Sequence, residues 1–309
     1  MSDQPPYTVV ALAGGVGGAR LVHGLDRVLP PDALRVVVNT GDDFEHWGLH
    51  ISPDLDTIMY TLAGLSPEDR GWGIEGDTFN ALREAGRRGG EIWFQLGDRD
   101  LVTHVSRSAA LARGESLTKV TADLCRALGV ERTILPMSDD PRPTTVVCRD
   151  GREIAFQQWL VRERSAPEVR AIRHDGTAQA SAETLRALSS ADLVMICPSN
   201  PYVSIDPILT MPGIREVLED TATVAVSPIL NGAAVKGPLG TMIPQLTGHA
   251  PSAKSVAHHY AGLLDGYAVH RGDRFDAPFP ILETNILIAG HEDRIRFAEE
   301  LLDFARSLG

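Results

Sequence analysis

Four glycines and four aspartates near the start of the chain carry its most specific chemistry. Gly14, Gly15, Gly17 and Gly18 follow the apolar run 9–12; Asp42, Asp43, Asp54 and Asp56 come after a second apolar run, 34–39. Glycine lets a backbone turn tightly and lets a ligand approach its N–H groups. A helix that opens at the turn presents the positive end of its dipole there, so a phosphate or diphosphate is the expected guest. Carboxylates facing such a turn are the equipment for Mg²⁺, and together they suit a nucleotide or diphosphate enzyme. The spacing Gly15-x-Gly17-x-x-Arg20 lacks the third glycine of the dinucleotide fingerprint, which counts against an ordinary NAD-dependent dehydrogenase. Plainer readings compete: glycines that pack a helix on a sheet, and aspartates that cap helices or solvate loops.

The elements that must position these residues follow from hydropathy. Strands are expected at 9–12, 34–39, 192–197, 223–226, 266–270 and 283–286, alternating with helices at 19–29, 182–188, 213–218, 253–264 and 291–307. Such alternation predicts an α/β protein with a Rossmann-like, doubly wound, mostly parallel sheet. Residues 62–185 have another character, with helices at 77–88, 101–113 and 117–128 and a hairpin, 145–149 with 152–158, across Asp150-Gly151. They are expected to form a helical and hairpin insertion over the sheet, leaving 1–61 and 186–309 as the core. Asp77-Thr78 supplies the expected cap of helix 77–88.

Ligands of open sheets gather at the carboxyl ends of the strands, near a topological switch point. The loops 14–18, 40–43, 199–206 and 227–232 share that rim, which adds Ser199, Asn200, Ser204 and Asn231 to the candidates, against a reading as turn chemistry. The basic run Arg162, Arg164, Arg170 and Arg173 reads as a solvated face. His258-His259 has no metal-ligand spacing.

With 29 basic and 41 acidic residues the net charge is −12, which argues against nonspecific nucleic-acid partners or a polyanionic membrane surface. Three cysteines without paired spacing, no apolar signal core and no apolar run of membrane-span length point to a cytoplasmic protein.

GGVGGARL, NTGDD, ISPDLDTIMYTLAG, GWGIEGDTF, LGDRDLVTH, ILPMSDDP, FQQWLVRER, PSNPYVSIDPIL and VAVSPI occur in this order over residues 9–270. In these blocks the chain resembles the 2-phospho-L-lactate transferase family of deazaflavin coenzyme (F-420) biosynthesis. The resemblance implies transfer of a phospholactyl or phosphoenolpyruvyl group from a guanosine diphosphate conjugate to the deazariboflavin Fo, with release of GMP. It also implies Mg²⁺, a homodimer and an inserted region over the deazaflavin site. Asp56 and Gln95 match positions that touch Fo; Gln95 stands where methanogen members carry lysine, so a hydrogen bond would replace a charged contact.

Under the same resemblance Asp42, Asp43, Asp54 and Asp56 are expected to hold Mg²⁺, with Asp43 and Asp56 also counted as catalytic. Arg99 is a candidate phosphate clamp. His104 is a candidate general acid or partner for ring oxygens, and Asp98 is expected to bind substrate beside them. The alternative for these three is an internal salt-bridge and helix-cap network. Asn200, Ser204 and Asn231 are assigned to the guanine or its ribose. Trp72, Trp93 and Phe94 stack on the planar ring or simply pack, and Arg107 is a surface residue of its helix. A relative with a different three-carbon acid is one rival; a nucleotide-sugar-binding regulator on the same scaffold is the other.

Overall fold

Every residue of β1 (Val9–Ala13) is buried, and its side chains divide between two hydrophobic clusters. Val9, Ala11 and Ala13 enter one; Val10 and Leu12 enter the other. A parallel strand covered by helices on both faces requires such a pattern. The computed structural model, which describes residues 7–308, sets six more strands beside it. They are β2 (Leu34–Val38), β3 (Thr133–Pro136), β4 (Leu193–Ile196), β5 (Thr223–Val226), β6 (Gly266–His270) and β7 (Ile281–Thr284). All neighbours pair in parallel, in the order β3-β2-β1-β4-β5-β6-β7. This is the doubly wound Rossmann order extended by one strand, and it reverses between β1 and β4.

The first helix, α1 (Gly15–Val28), begins at the end of β1, earlier than the expected 19. It packs against α2 (Pro53–Leu62) and the C-terminal helix His291–Arg306. Gly24 allows the second contact, since a Cβ there would run into the Arg294 carbonyl.

The stretch 62–185, expected as one insertion, is divided, because β3 returns to the edge of the main sheet within it. Between β2 and β3 lie a short hairpin (Phe44–His46 with Leu49–Ile51), α2, α3 (Asn80–Arg87), α4 (Asp100–Ala112) and α5 (Leu117–Ala127). Between β3 and β4 lies a three-stranded antiparallel sheet, Glu153–Ala155, Thr144–Cys148 and Val169–His174. The hairpin around Asp150-Gly151 is therefore present, with its second arm turning into a π-helical turn, Gln158–Arg162. Arg170 and Arg173 sit exposed on the third strand, where Arg173 pairs with Glu153 (2.7 Å). Among the described residues no helix is long and apolar enough to cross a membrane.

Candidate active site at the switch point

Ser199, in the loop after β4, closes the crevice where the strand order reverses. Its hydroxyl donates to the Gly14 carbonyl (2.8 Å), and its oxygen lies 3.2 Å from the Gly14 N–H. Gly15 follows with φ +63°, a conformation that suits glycine. Its N–H donates to Asp54 Oδ1 (2.7 Å), so a carboxylate from the first turn of α2 caps α1. A Cβ on Gly14 would strike that carboxylate, and one on Gly17 would strike the Pro198 carbonyl. The turn is thus packed tightly, and Gly14, Gly15 and Gly17 still line a cavity of about 380 Å³ with Ser199, Asn200 and Ser204. Gly18 is buried behind it, against Ser199.

Asp42 and Asp54 meet on the wall of this cavity. Asn39, wholly buried just past β2, directs one amide nitrogen at both: Nδ2 is 3.0 Å from Asp42 Oδ1 and 2.9 Å from Asp54 Oδ2. Gln157, held just before the π-helical turn, donates to the other Asp42 oxygen (2.6 Å). Burial pushes Asp54 up to about 6, against the pull of the Asn39 and Gly15 donors. Asp42 is pushed well above the usual carboxylate range by burial, then by the charges of Asp54 and Asp43. Two buried carboxylates that share one amide donor resist ionising together, and a divalent cation between them removes that resistance. The donor set suits Mg²⁺, which takes one or two carboxylates and completes its octahedron with water and phosphate.

The other two aspartates are held elsewhere. Asp43 accepts from the Ser52 hydroxyl (2.7 Å), lies 3.0 Å from His50 Nε2, and lines neither large cavity. Burial raises its pKa, opposed by His50. Asp56 is gripped by both terminal nitrogens of Arg107. The structure therefore brings together two of the four expected metal ligands.

A second cavity, about 510 Å³, adjoins the first: Asp54, Val16, Trp72, Gln157 and Leu160 line both. Trp93, Phe94, Gln95, Asp56 and His104 are among the other residues that line the second. Its aromatic wall is braced by Phe44, whose ring lies 4.9 Å from Phe94 edge-on and 5.5 Å from Trp93. The first cavity is also lined by Arg20, Arg70 and Lys236. Arg70 lies over the Trp72 ring at 5.0 Å, and burial lowers the pKa of Lys236. Such a wall suits an anionic guest.

Three further sequence candidates fall outside both cavities. Asp98 accepts from the Thr78 hydroxyl (2.6 Å) and the N–H groups of Ala81 (2.9 Å) and Asn80 (3.0 Å), which hold its carboxyl well below the usual range. It therefore caps α3, while Asp77 accepts from the N–H groups of Arg99 (2.9 Å) and Asp100 (3.0 Å) at the start of α4. Each carboxylate caps the other's helix, which is why α3 begins at Asn80 and not at Asp77. Arg99 is exposed and donates to the Glu75 carbonyl (3.0 Å). Asn231 (φ +49°) and Gly232 (φ +80°) form the two-residue turn of the hairpin Ile229–Leu230 with Ala233–Ala234. Positive φ at both positions is turn chemistry.

Sequence reading also missed residues that matter. Arg107 is 1% exposed and not on a surface. Asn39 and Gln157 set the aspartate pair, and Arg20, Arg70 and Lys236 supply the cationic wall. Four of these left a signal: Asn39 lies within NTGDD, Arg20 within GGVGGARL and Gln157 within FQQWLVRER, and Lys236 is one of only three lysines in the chain.

Residues 9–276 match the family model described as 2-phospho-L-lactate transferase CofD. The 2-phospho-L-lactate transferase of Methanosarcina mazei is 40% identical over 270 residues, covering 87% of this chain and 88% of the relative. The phosphoenolpyruvate transferase of Streptomyces griseus is 42% identical over 274 residues, covering 86% of each. A solved UPF0052-family protein of Bacillus halodurans shares the fold, with a TM-score of 0.63 at 14% identity over 97% of this chain and 99% of the other. The chain belongs to the 2-phospho-L-lactate transferase (CofD) family of transferases, the family of coenzyme F-420 biosynthesis.

Proposed function

We propose that this protein transfers a phospholactyl or phosphoenolpyruvyl group from a guanosine diphosphate conjugate to the ribityl hydroxyl of the deazariboflavin Fo, releasing GMP. The observation that carries this reading is the pair of adjoining cavities that meet at Asp54, one lined by cations and the glycine turn, the other by aromatic rings. A transferase needs its two substrates side by side with the reacting phosphorus at the junction. The donor's diphosphate lies between the cationic wall and the Asp42–Asp54 pair, and the flat acceptor lies against Trp93 and Phe94.

In this reading the acceptor's hydroxyl oxygen bonds to the phosphorus that carries the three-carbon acid. The bridging P–O bond breaks, GMP leaves with the bridging oxygen, and the hydroxyl proton is released. Arg20, Arg70, Lys236 and the opening of α1 orient the phosphates and oppose the charge that grows on the leaving group. Asp42 and Asp54 would hold Mg²⁺, kept in place by Asn39 and Gln157; when bound, the ion supplies Lewis-acid stabilisation of the phosphoryl oxygens. The same reading carries a cytoplasmic homodimer, and the three cysteines, buried and unpaired, fit a reducing compartment.

Incubation with Fo, Mg²⁺ and each guanylylated donor in turn, read by mass spectrometry, tests the proposal. Phospholactyl-Fo or phosphoenolpyruvyl-Fo with matching GMP is the expected result, and the faster donor identifies the acid. Failure of every donor together with failure to bind Fo would favour the nucleotide-sugar-binding regulator instead.

A further inference from the structure

His104 and Arg107 stand one turn apart on α4, and both are nearly inaccessible, at 2% and 1% exposed. Arg107 places both terminal nitrogens on the Asp56 carboxylate, and its Nη1 lies 3.3 Å from His104 Nδ1. A guanidinium has donors only. The contact therefore requires His104 Nδ1 to accept, which leaves the ring proton on Nε2. Among the described residues that nitrogen has no hydrogen-bond partner. The nearest carboxylate oxygen, Asp100 Oδ1 at 3.2 Å, is not aligned with it for a hydrogen bond and accepts from the Tyr60 hydroxyl (2.7 Å). A buried donor with no acceptor is costly to keep, and His104 lines the second cavity, where a ligand atom can satisfy it.

We propose that Arg107 is a positioning residue that fixes the proton of His104 on Nε2, so that the imidazole donates a hydrogen bond to an acceptor atom, a ring carbonyl or ring nitrogen, of the planar substrate in the second cavity. The proposal rests on the reading of that cavity as the site of the planar acceptor. Asp56 alone would not set this state. Its Oδ2 lies 3.6 Å from His104 Nδ1, so without the guanidinium this carboxylate would accept from that nitrogen and draw the ring proton to it. The other charged or titratable groups around the ring are Tyr60 on α2 and His46 on the short hairpin. Arg107 thus decides which ring nitrogen carries the proton, and Asp56 is fully engaged in holding Arg107 in place.

The first readout needs no substrate. ¹⁵N-histidine NMR of the parent protein, with His104 assigned by its loss in His104→Gln, is expected to show the ring proton on Nε2. Arg107→Met is expected to move that proton to Nδ1, beside Asp56, and Arg107→Lys to restore the Nε2 tautomer. A merely structural arginine would leave the ring state unchanged in every variant that folds. The second readout is Fo binding by fluorescence, where His104→Phe is expected to weaken affinity about tenfold, the loss typical of one buried hydrogen bond. A parent ring protonated at Nδ1, or an Arg107→Met ring still protonated at Nε2, overturns the positioning role whatever Fo does. An Nε2-protonated parent that binds Fo equally well as His104→Phe overturns the donor role. A parent with the predicted ring state that does not bind Fo at all overturns the substrate assignment and leaves the ring geometry standing.

Discussion

Asp54 and Asp56 lie two residues apart in the first turn of α2, are buried to a similar degree, and have opposite surroundings. Asp54 accepts from neutral donors, the Gly15 N–H and the Asn39 amide, and faces a second carboxylate, Asp42. Asp56 is neutralised by a buried guanidinium. Residues on one short helix thus separate a carboxylate available for a cation from one already paired with it. The difference comes from the partners that reach them: Asn39 from beyond β2 and Arg107 from α4. Nothing in the PDLDT block itself distinguishes them.

The largest expected effect is on turnover. Asp54→Asn keeps the shape and removes the charge, and transfer should fall by about a thousandfold, the several kcal/mol that a phosphate-bound cation supplies. Steady-state assays of GMP release check this, and a rate within threefold of the parent would place the cation elsewhere. Asp56→Ala should instead act on folding. It strands a buried Arg107 charge, at about 3–5 kcal/mol, and urea unfolding should show the loss, while Asp56→Leu with Arg107→Met should recover most of it.

The two carboxylates also differ in what pH does to them. Asp54 is raised to about 6 in the folded protein, above its unfolded value, so the folded state binds that proton more tightly. The stability this adds is present at pH below about 4 and is lost as pH rises through about 6. Mg²⁺ competes for the same oxygens. Its stabilisation of the parent should be small at pH 5 and larger at pH 7.5, and absent at both in Asp54→Asn; thermal melts at the two pH values measure it. A smaller effect follows at Asp98. Asp98→Ala removes the cap of α3 and should lower the melting temperature slightly, with the transfer rate unchanged. Asn231→Gly, in a turn that already demands positive φ, should change neither quantity measurably.

The sheet was legible because its strands are continuous apolar runs, and a strand buried on both faces leaves no other pattern. The edge strand β3 was harder to place, since Thr133–Pro136 is short and begins exposed. The glycine turn and the aspartates were visible as residue types at close spacing. Their roles were not visible, because those depend on Asn39, Gln157 and Arg107, which reach them from other elements. Arg107 illustrates the limit: an arginine on an amphipathic helix is ordinarily solvated, and only the seating of α4 on α5 and the hairpin strand Leu49–Ile51 puts it beside Asp56. Asp77 and Asp98 illustrate the converse. Asp77 was visible as a cap residue and Asp98, expected to bind substrate, only as part of an alternative cap network; their reciprocal exchange depends on a loop meeting a helix start about twenty residues away.

The central claim is that Asp42 and Asp54, and not the other two aspartates, hold the cation. Mn²⁺, a spectroscopic substitute for Mg²⁺, can be titrated by electron paramagnetic resonance into the parent and into Asp42→Asn, Asp43→Asn, Asp54→Asn and Asp56→Asn. Each variant is first checked for folding by circular dichroism. The predicted result is weakening of at least about tenfold in Asp42→Asn and Asp54→Asn, the loss of one charged ligand, with affinity kept in the other two. Equal weakening in Asp43→Asn or Asp56→Asn, or parent-like affinity in Asp42→Asn and Asp54→Asn, would contradict it.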